Sequence, residues 1–499
     1  MVLPIAVNGF GVKTFTKDSA LVKSLIKTNA LDTDKILVII YLNGGNDGLN
    51  TVIPLDNYPA YRSLRSSIAI PENKVLSLAG NPKTGLHPSM TGMQNLYNEG
   101  KLAIIHSVSY PNPNQSHVRS SDIWMTAVNS NQYTDTGWAG RYLKSRYPNY
   151  PADYPNGEME DPLAVQIGNM NSPALSGGPL GMGVTFENPS TFYQVLGSNS
   201  YVSSNQLPCC DAGELINYCR QQQVLNSSFA LEVKRAASAG VNKATYPTPV
   251  GITDLSEQLK IVARMIHGGL KTKIYFVEMS GFDTHANQVS STNPAEGLHA
   301  TLLKRLSDSI AAFQNDLKLQ GTEDKVIGMT FSDFGRRASS NGSFGTDHGI
   351  AAPMFVFGSG IKRQSVGTNP DLANDLEPPT INSTPPPNQD IKMQIDFRRI
   401  YSDILKDWFG TDATTTNSLL FNNFKSTSLF SNVIETVSSG AWPDRNIWSA
   451  GCMPGPKDYV KINTGHTVQV GQNITVRNIQ VEGGAELSFL GNYRIETTG

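Results

Sequence analysis

The sequence predicts an α/β protein: a mostly parallel sheet sandwiched by helices, followed by a small all-β module. Three observations predict it. Short, continuous, β-branched runs at residues 35–42, 273–277 and 326–331 read as strands covered on both faces. Stretches of helical period lie between them. Beyond about residue 430 the pattern changes to short alternating strands separated by turns rich in Gly and Asn.

The first strand, Lys35-Ile36-Leu37-Val38-Ile39-Ile40-Tyr41-Leu42, runs straight into the turn Asn43-Gly44-Gly45-Asn46-Asp47-Gly48. Met90, Met93, Leu96 and Tyr97 mark a helical face that Gly100 stops. A second buried strand, Leu102-Ala103-Ile104-Ile105, follows, and strand, helix, strand at this spacing argues for parallel pairing. Lys273-Ile274-Tyr275-Phe276-Val277 is a third strand. Leu302, Leu306, Ile310, Phe313 and Leu317 line one face of a long helix. Val326-Ile327-Gly328-Met329-Thr330-Phe331 and Pro353-Met354-Phe355-Val356-Phe357 are two more strands. A Pro- and Asn-rich stretch over 363–392 reads as an exposed loop. Phe397, Ile400, Tyr401, Ile404, Leu405 and Trp408 form a last core helix ending at Gly410.

In the tail, strands at 460–462, 467–470, 474–476, 479–481 and 487–489 suggest stacked rungs of a small β-solenoid. A compact antiparallel module is the alternative. The expected organisation is an N-terminal segment 1–34, an α/β domain 35–425, a linker 426–455 and a C-terminal β module 456–499.

Composition excludes some partners. A net charge of −2 gives no electrostatic reason to expect nucleic acid or an anionic membrane. No apolar run approaches the roughly 20 residues of a membrane span. Charged residues are scarce at 16%, while Asn, Ser, Thr, Gly and Pro are plentiful, which suits a loop-rich exported protein. The amino terminus has no basic region and no complete signal peptide, and reads as a chain beginning just after a removed leader. The expectation is a secreted, periplasmic or cell-surface protein. Cys209, Cys210, Cys219 and Cys452 form no metal-type CxxC pair. They read as one or two structural disulfides, with three connectivities open.

Functional polar residues gather at the carboxyl ends of strands in open α/β sheets. Asp47 follows the first strand, Ser116 and His117 the second, Asp283 and His285 the third, and Asp333 the fourth. His348 precedes the fifth and is expected nearby. Singly, each has a plain structural explanation: an Asx-turn for Asp47, an N-cap for Ser116, a hydrogen-bonded core residue for each His. Together they would crowd one crevice. Carboxylates placed so closely repel, and a divalent cation is the usual remedy. Carboxylate with imidazole suits Zn²⁺, Mn²⁺ or similar ions.

These motifs carry a resemblance. Asn43-Gly44-Gly45-Asn46-Asp47-Gly48-Leu49-Asn50, Leu86-His87-Pro88, Ser116-His117, Gly137-Trp138-Ala139-Gly140-Arg141-Tyr142, Gly281-Phe282-Asp283-Thr284-His285, Ser332-Asp333-Phe334-Gly335-Arg336-Arg337 and Thr346-Asp347-His348-Gly349 resemble the domain of unknown function 1501 family over about 35–425. That family is similar to the alkaline phosphatase and sulfatase superfamily, and its members are commonly exported. The resemblance implies an alkaline-phosphatase-like fold, with Asp47, Asp283, His285, Asp333 and His348 as ligands of one or two divalent ions (Zn, Mn, Ca or Mg). It implies Ser116 as nucleophile at a helix amino terminus. His117 is a further catalytic candidate, and Arg336, Arg119 or Asn46 would clamp the anion, although both arginines also read as ordinary salt-bridge partners. One departure stands out: Phe334 occupies the place of a ligand His.

The implied function is an exported hydrolase of phosphate or sulfate esters, acting on a small molecule or a glycan. The rival is a non-catalytic surface or binding protein that keeps the fold. Gly440-Ala441-Trp442 with Asp444, Trp448 and Gly451-Cys452-Met453-Pro454 resembles the entry of solenoid modules on exported bacterial surface proteins. That resemblance implies attachment to a surface, a glycan or a protein partner.

Overall fold

A computed structural model describes residues 34–497, except 152, 158, 170, 179–180, 193–225, 228, 252–253, 362–363, 378–389, 431–432, 450–452, 457 and 477. The four cysteines and the segment ahead of residue 34 lie outside the described residues, so the disulfide and leader expectations do too.

The core is a nine-stranded sheet. Its strands are β1 (Ile36–Asn43), β2 (Leu102–Ser109), β3 (Ala164–Ile167), β4 (Gly183–Phe186), β5 (Ile274–Ser280), β6 (Val326–Ser332), β7 (Ala352–Phe357), β8 (Ser365–Val366) and β9 (Ile395–Asp396). They lie in the order β8-β2-β7-β6-β1-β5-β3-β4, with β9 also paired to β2. β1 runs parallel to both neighbours, Leu37 beside Ile274 and Ile39 beside Met329. Flanking strands and helices together bury all of Ile36–Leu42, and that is why the run shows no alternation.

One strand is reversed. β7 is antiparallel to both β2 and β6, while every other pairing in the sheet is parallel. The beginning of β7 therefore lies at the same edge as the ends of β1, β5 and β6. Residues just ahead of β7 join the loops that follow the parallel strands.

The flanking helices include α1 (Thr91–Asn98), α2 (His117–Thr126), α3 (Leu255–His267), α4 (Leu298–Gln320) and α5 (Phe397–Asp403). In α4 the five expected apolar positions are all buried, and Gly321 ends the helix in the left-handed region. α5 widens at Ile404–Trp408 into a turn in which Phe409 N–H bonds the Ile404 carbonyl at 3.0 Å.

All five expected strands are present, β2 running on to Ser109. The sequence reading missed β3, β4 and α3. The stretch expected as plain loop holds β8 and a short ladder of Leu376–Glu377 with Asp390–Ile391.

The tail has its own core, with Ile434, Trp442, Ile447, Trp448, Val460, Ile462, Val468 and Val470 packed together. Its strands are β10 (Val433–Glu435), β11 (Gly440–Ala441), β12 (Tyr459–Ile462), β13 (Thr467–Val470), β14 (Ile474–Val476), β15 (Asn478–Val481), β16 (Glu486–Phe489) and β17 (Ile495–Thr497). They form three small sheets, β10-β12-β15, β11-β13-β16 and β14-β17, in which every ladder is parallel. Tyr459 stands beside Asn478 and Thr467 beside Glu486, the same step along the chain in both.

Candidate metal centre

The loops at the carboxyl edge of the sheet converge because their glycines permit it. Gly44 has φ +123°, and a Cβ there would stand 2.4 Å from Asp283 N. Without one, the turn after β1 lies against the turn after β5. Arg336 fastens the junction from inside: fully buried, its Nε donates to the Gly45 carbonyl at 2.7 Å and its Nη1 to the Thr346 carbonyl at 2.9 Å. Its Nη2 reaches the Gly44 and Phe282 carbonyls and lies 2.6 Å from Asp283 Oδ1.

Over this junction His117, Asp283 and His348 bring one potential ligand atom each to within 4.8 Å of one another. His117 Nε2 is 3.6 Å from Asp283 Oδ2, and His348 Nε2 is 3.4 Å from Asp283 Oδ1. The opposite ring nitrogens are already engaged. His117 Nδ1 lies 2.5 Å from Asp333 Oδ2, and His348 Nδ1 is 2.9 Å from the Gln115 carbonyl. A ring whose Nδ1–H is held in this way presents a bare Nε2 lone pair. Both Nε2 atoms are buried and have no hydrogen-bond partner. Two orphaned imidazole nitrogens facing a carboxylate form a donor set that fits a divalent cation.

His285 stands one step outside the three. Its Nε2 is 3.2 Å from Asp283 Oδ1 and its Nδ1 is 3.2 Å from Asp347 Oδ1. The buried Phe334 packs against both inner imidazoles, ring centroids 4.8 Å from His117 and 4.5 Å from His348. It walls one side of the centre with hydrocarbon.

The local charges follow from these contacts. The hydrogen bond to Asp333 raises His117 above the ordinary imidazole pKa despite its partial burial. Burial, followed by the Arg336 charge, lowers His348. Burial alone would raise Asp283, but the hydrogen bond and charge of Arg336, with His285 and His117, outweigh it and hold the carboxylate low.

Several residues expected at the site have other partners in the structure. Asp47, expected as a ligand, is fully buried in an ion pair with Arg65, whose Nη1 is 2.6 Å from its Oδ2. Asp333, also expected as a ligand, spends its carboxylate on His117 and on the Gly44 N–H at 3.2 Å, so it meets the centre through His117. Arg336 is fully buried, and each of its three nitrogens already donates to a carbonyl or to Asp283. Arg119 pairs with Asp122, donates to the Ser130 carbonyl at 3.0 Å and stacks on Tyr133. Asn46 accepts from Thr51 at 3.1 Å and contacts His299 at 3.0 Å, and its buried Nδ2 has no partner.

Ser116 is exposed at the N-cap of α2, and its side chain makes no capping bond. It stands between Gln115, whose carbonyl holds His348, and His117. Sequence reasoning overlooked Arg65, Gln288, Gln115 and the partner role of Asp347. Of these only Asp347 carried a signal, lying inside the Thr346-Asp347-His348-Gly349 motif.

Fold and site together define an α/β protein with a His/Asp centre at the carboxyl edge of a mixed sheet. The resemblance to the domain of unknown function 1501 family, expected from the motifs, is found over part of the chain. The family model described as a protein of unknown function (DUF1501) matches residues 222–420, a span that includes Asp283, His285, Asp333 and His348. Similar solved structures include a protein in the alkaline phosphatase superfamily from Vibrio parahaemolyticus, 10% identical over 68% of this chain and 64% of that one, with TM-score 0.33. This chain thus spans less than two thirds of the length of that protein. Another is the zinc complex of the C-terminal periplasmic domain of EcEptC from Escherichia coli, 10% identical over 66% and 74%, TM-score 0.31. A third is alkaline phosphatase from the Antarctic bacterium TAB5, 9% identical over 65% and 92%, TM-score 0.24. No curated protein matches the sequence.

Proposed function

We propose that the centre serves an exported metal-dependent hydrolase of phosphate or sulfate esters, with Ser116 as nucleophile. The observation that carries this reading is the pair of buried, unpartnered Nε2 atoms of His117 and His348 facing Asp283. These three residues would hold one divalent ion, with His285 next in reach, and the donor set suits zinc or manganese. A bound ion supplies Lewis acidity and lowers the pKa of a coordinated hydroxyl.

The rest belongs to the chain. The Ser116 Oγ attacks the phosphorus or sulfur, the ester alcohol departs with a proton, and water later frees the anion and restores the serine hydroxyl. The first-turn N–H groups of α2, which no intrahelical carbonyl serves, favour the negative charge that develops beside Ser116. Phe334 keeps water from one side of the centre. Asp333 and the Gln115 carbonyl hold the two imidazoles in the orientation they need.

In our reading the all-parallel tail is a β-solenoid that attaches the protein to a surface, a glycan or a protein partner. It begins near Val433, because β10 and β11 already pair within its sheets. Among the described residues no helix is long and apolar enough to cross a membrane.

The rival reading, a binding protein without catalysis, draws support from Phe334 and from the burial of Arg336. Elemental analysis of the purified protein, with assays on aryl phosphate, aryl phosphodiester and aryl sulfate, separates the two. We expect about one bound ion and ester hydrolysis that Ser116→Ala abolishes while the ion stays bound. Unchanged activity in Ser116→Ala removes Ser116 as nucleophile. Inactivity of the wild type with every supplied metal favours the binding protein.

A further inference from the structure

We infer that Asp47, acting through Arg65 and Gln288, is a positioning residue for the metal centre and not one of its ligands. The inference rests on the metal reading above and assigns how that centre is held in shape.

The Arg65 guanidinium and the Asp47 carboxylate are both fully buried. Arg65 Nη1 meets the two carboxylate oxygens at 2.7 and 2.6 Å and Asn50 Oδ1 at 3.1 Å. Its Nε donates to the Ala338 carbonyl at 2.7 Å and its Nη2 to the Arg337 carbonyl at 2.6 Å. Gln288 Nε2 donates to Asp47 Oδ2 at 2.5 Å, and Gln288 Oε1 accepts the hydroxyls of Thr284 at 3.0 Å and Thr346 at 2.9 Å.

The chain of contacts reaches two of the three ligand-bearing segments, those of Asp283 and His348. Thr284 lies between Asp283 and His285. Thr346 lies two residues before His348. Arg337 and Ala338 follow the turn that carries Asp333 and Phe334. Asp47 thus ties the Asp283 loop to the His348 loop from beneath, and a shift in either would move Asp283 relative to His348.

Charge argues the same way. The Asp47 carboxylate already has a guanidinium against both oxygens. An ion drawn to it would bring a second positive charge beside Arg65 in a space without solvent, where such repulsion is strong. Moving Arg65 aside would strip partners from the Ala338 and Arg337 carbonyls as well.

Cobalt(II) titration of the whole protein, followed by its visible absorption, tests the assignment. The charge-neutral double variant Asp47→Leu/Arg65→Met removes the clasp without stranding a buried charge. Gln288→Met removes the bonds to Asp47 and to both threonines and leaves the Arg65 pair in place. We expect each to bind one cobalt ion with the wild-type absorption envelope, at an affinity about tenfold or more below wild type, as for lost outer-shell partners. Near-ultraviolet circular dichroism checks folding, and Gln288→Met decides the matter if the double variant does not fold. Affinity within about twofold of wild type in the folded variants overturns the assignment. So does a displaced absorption envelope in folded Asp47→Asn, because that marks Asp47 as a ligand. A wild type that takes up no cobalt refutes the metal centre itself, and the clasp's role with it.

Discussion

The Nδ1 of His117 sits 2.5 Å from an oxygen of the fully buried Asp333, on the opposite edge of the ring from Asp283. The pairing fixes which nitrogen of His117 faces the centre. It also gives a carboxylate at the end of β6 a way to act on the proposed centre through His117.

Asp333→Ala would leave the Gly44 N–H and the His117 Nδ1–H without their acceptor. Metal affinity should fall about 10- to 100-fold, while Asp333→Asn, which keeps an acceptor, should lose less. Competition against a chromogenic chelator measures both. Equal affinity in Asp333→Ala and wild type would show that the pairing does not orient His117.

Gly44→Ala should damage the junction of the two turns. Its φ of +123° is one that L residues rarely adopt, and the added Cβ would meet Asp283 N at 2.4 Å and Phe282 C at 2.8 Å. Backbone strain alone is about 1–3 kcal/mol. Urea denaturation should show at least that loss, together with weakened metal binding.

Acid should destabilise the protein earlier than carboxylate protonation would. Burial pushes His106 down to about 4, His87 to about 3 and His299 to about 4, from an ordinary 6.5. The unfolded chain binds protons below pH 6.5, whereas the folded one refuses them until these lower values. Stability is therefore complete above pH 6.5 and lost as pH falls toward 4, at up to about 1.4 kcal/mol per pH unit for each histidine. The urea midpoint measured from pH 7.5 to 4.5 should fall accordingly. His106→Gln should flatten the slope, and an unchanged slope would show that His106 is not held neutral.

The tail should unfold on its own. Trp442 is fully buried in the separate tail core, and Trp448 Nε1 donates to its carbonyl at 2.9 Å. Trp442→Ala should cost the tail about 3–5 kcal/mol. Cobalt affinity at the centre should stay as in wild type. A loss of cobalt binding in this variant would mean that the two cores depend on each other.

The long central strands were legible because burial on both faces leaves an unbroken apolar run, as in Ile36–Leu42. β3 and β4, four residues each, are too short to carry a period. The gathering of His117, Asp283 and His348 could be anticipated, since strand ends in an open sheet share one edge. What each carboxylate meets there could not. Whether Asp47 faces an ion or a guanidinium is decided by Arg65, which reaches it from 18 positions along the chain at the end of a separate helix. No local pattern announces such a pairing. For the same reason Arg336 reads in sequence as an anion clamp or an ordinary salt-bridge partner, and in the structure as an internal rivet.

The reversed strand β7 has a consequence for assembly. His348 gains its Gln115 acceptor across 233 positions of chain, just ahead of the strand β7 that lies between β2 and β6. Contacts so remote in sequence form slowly during folding. In refolding, cobalt colour should therefore lag behind recovered helix signal.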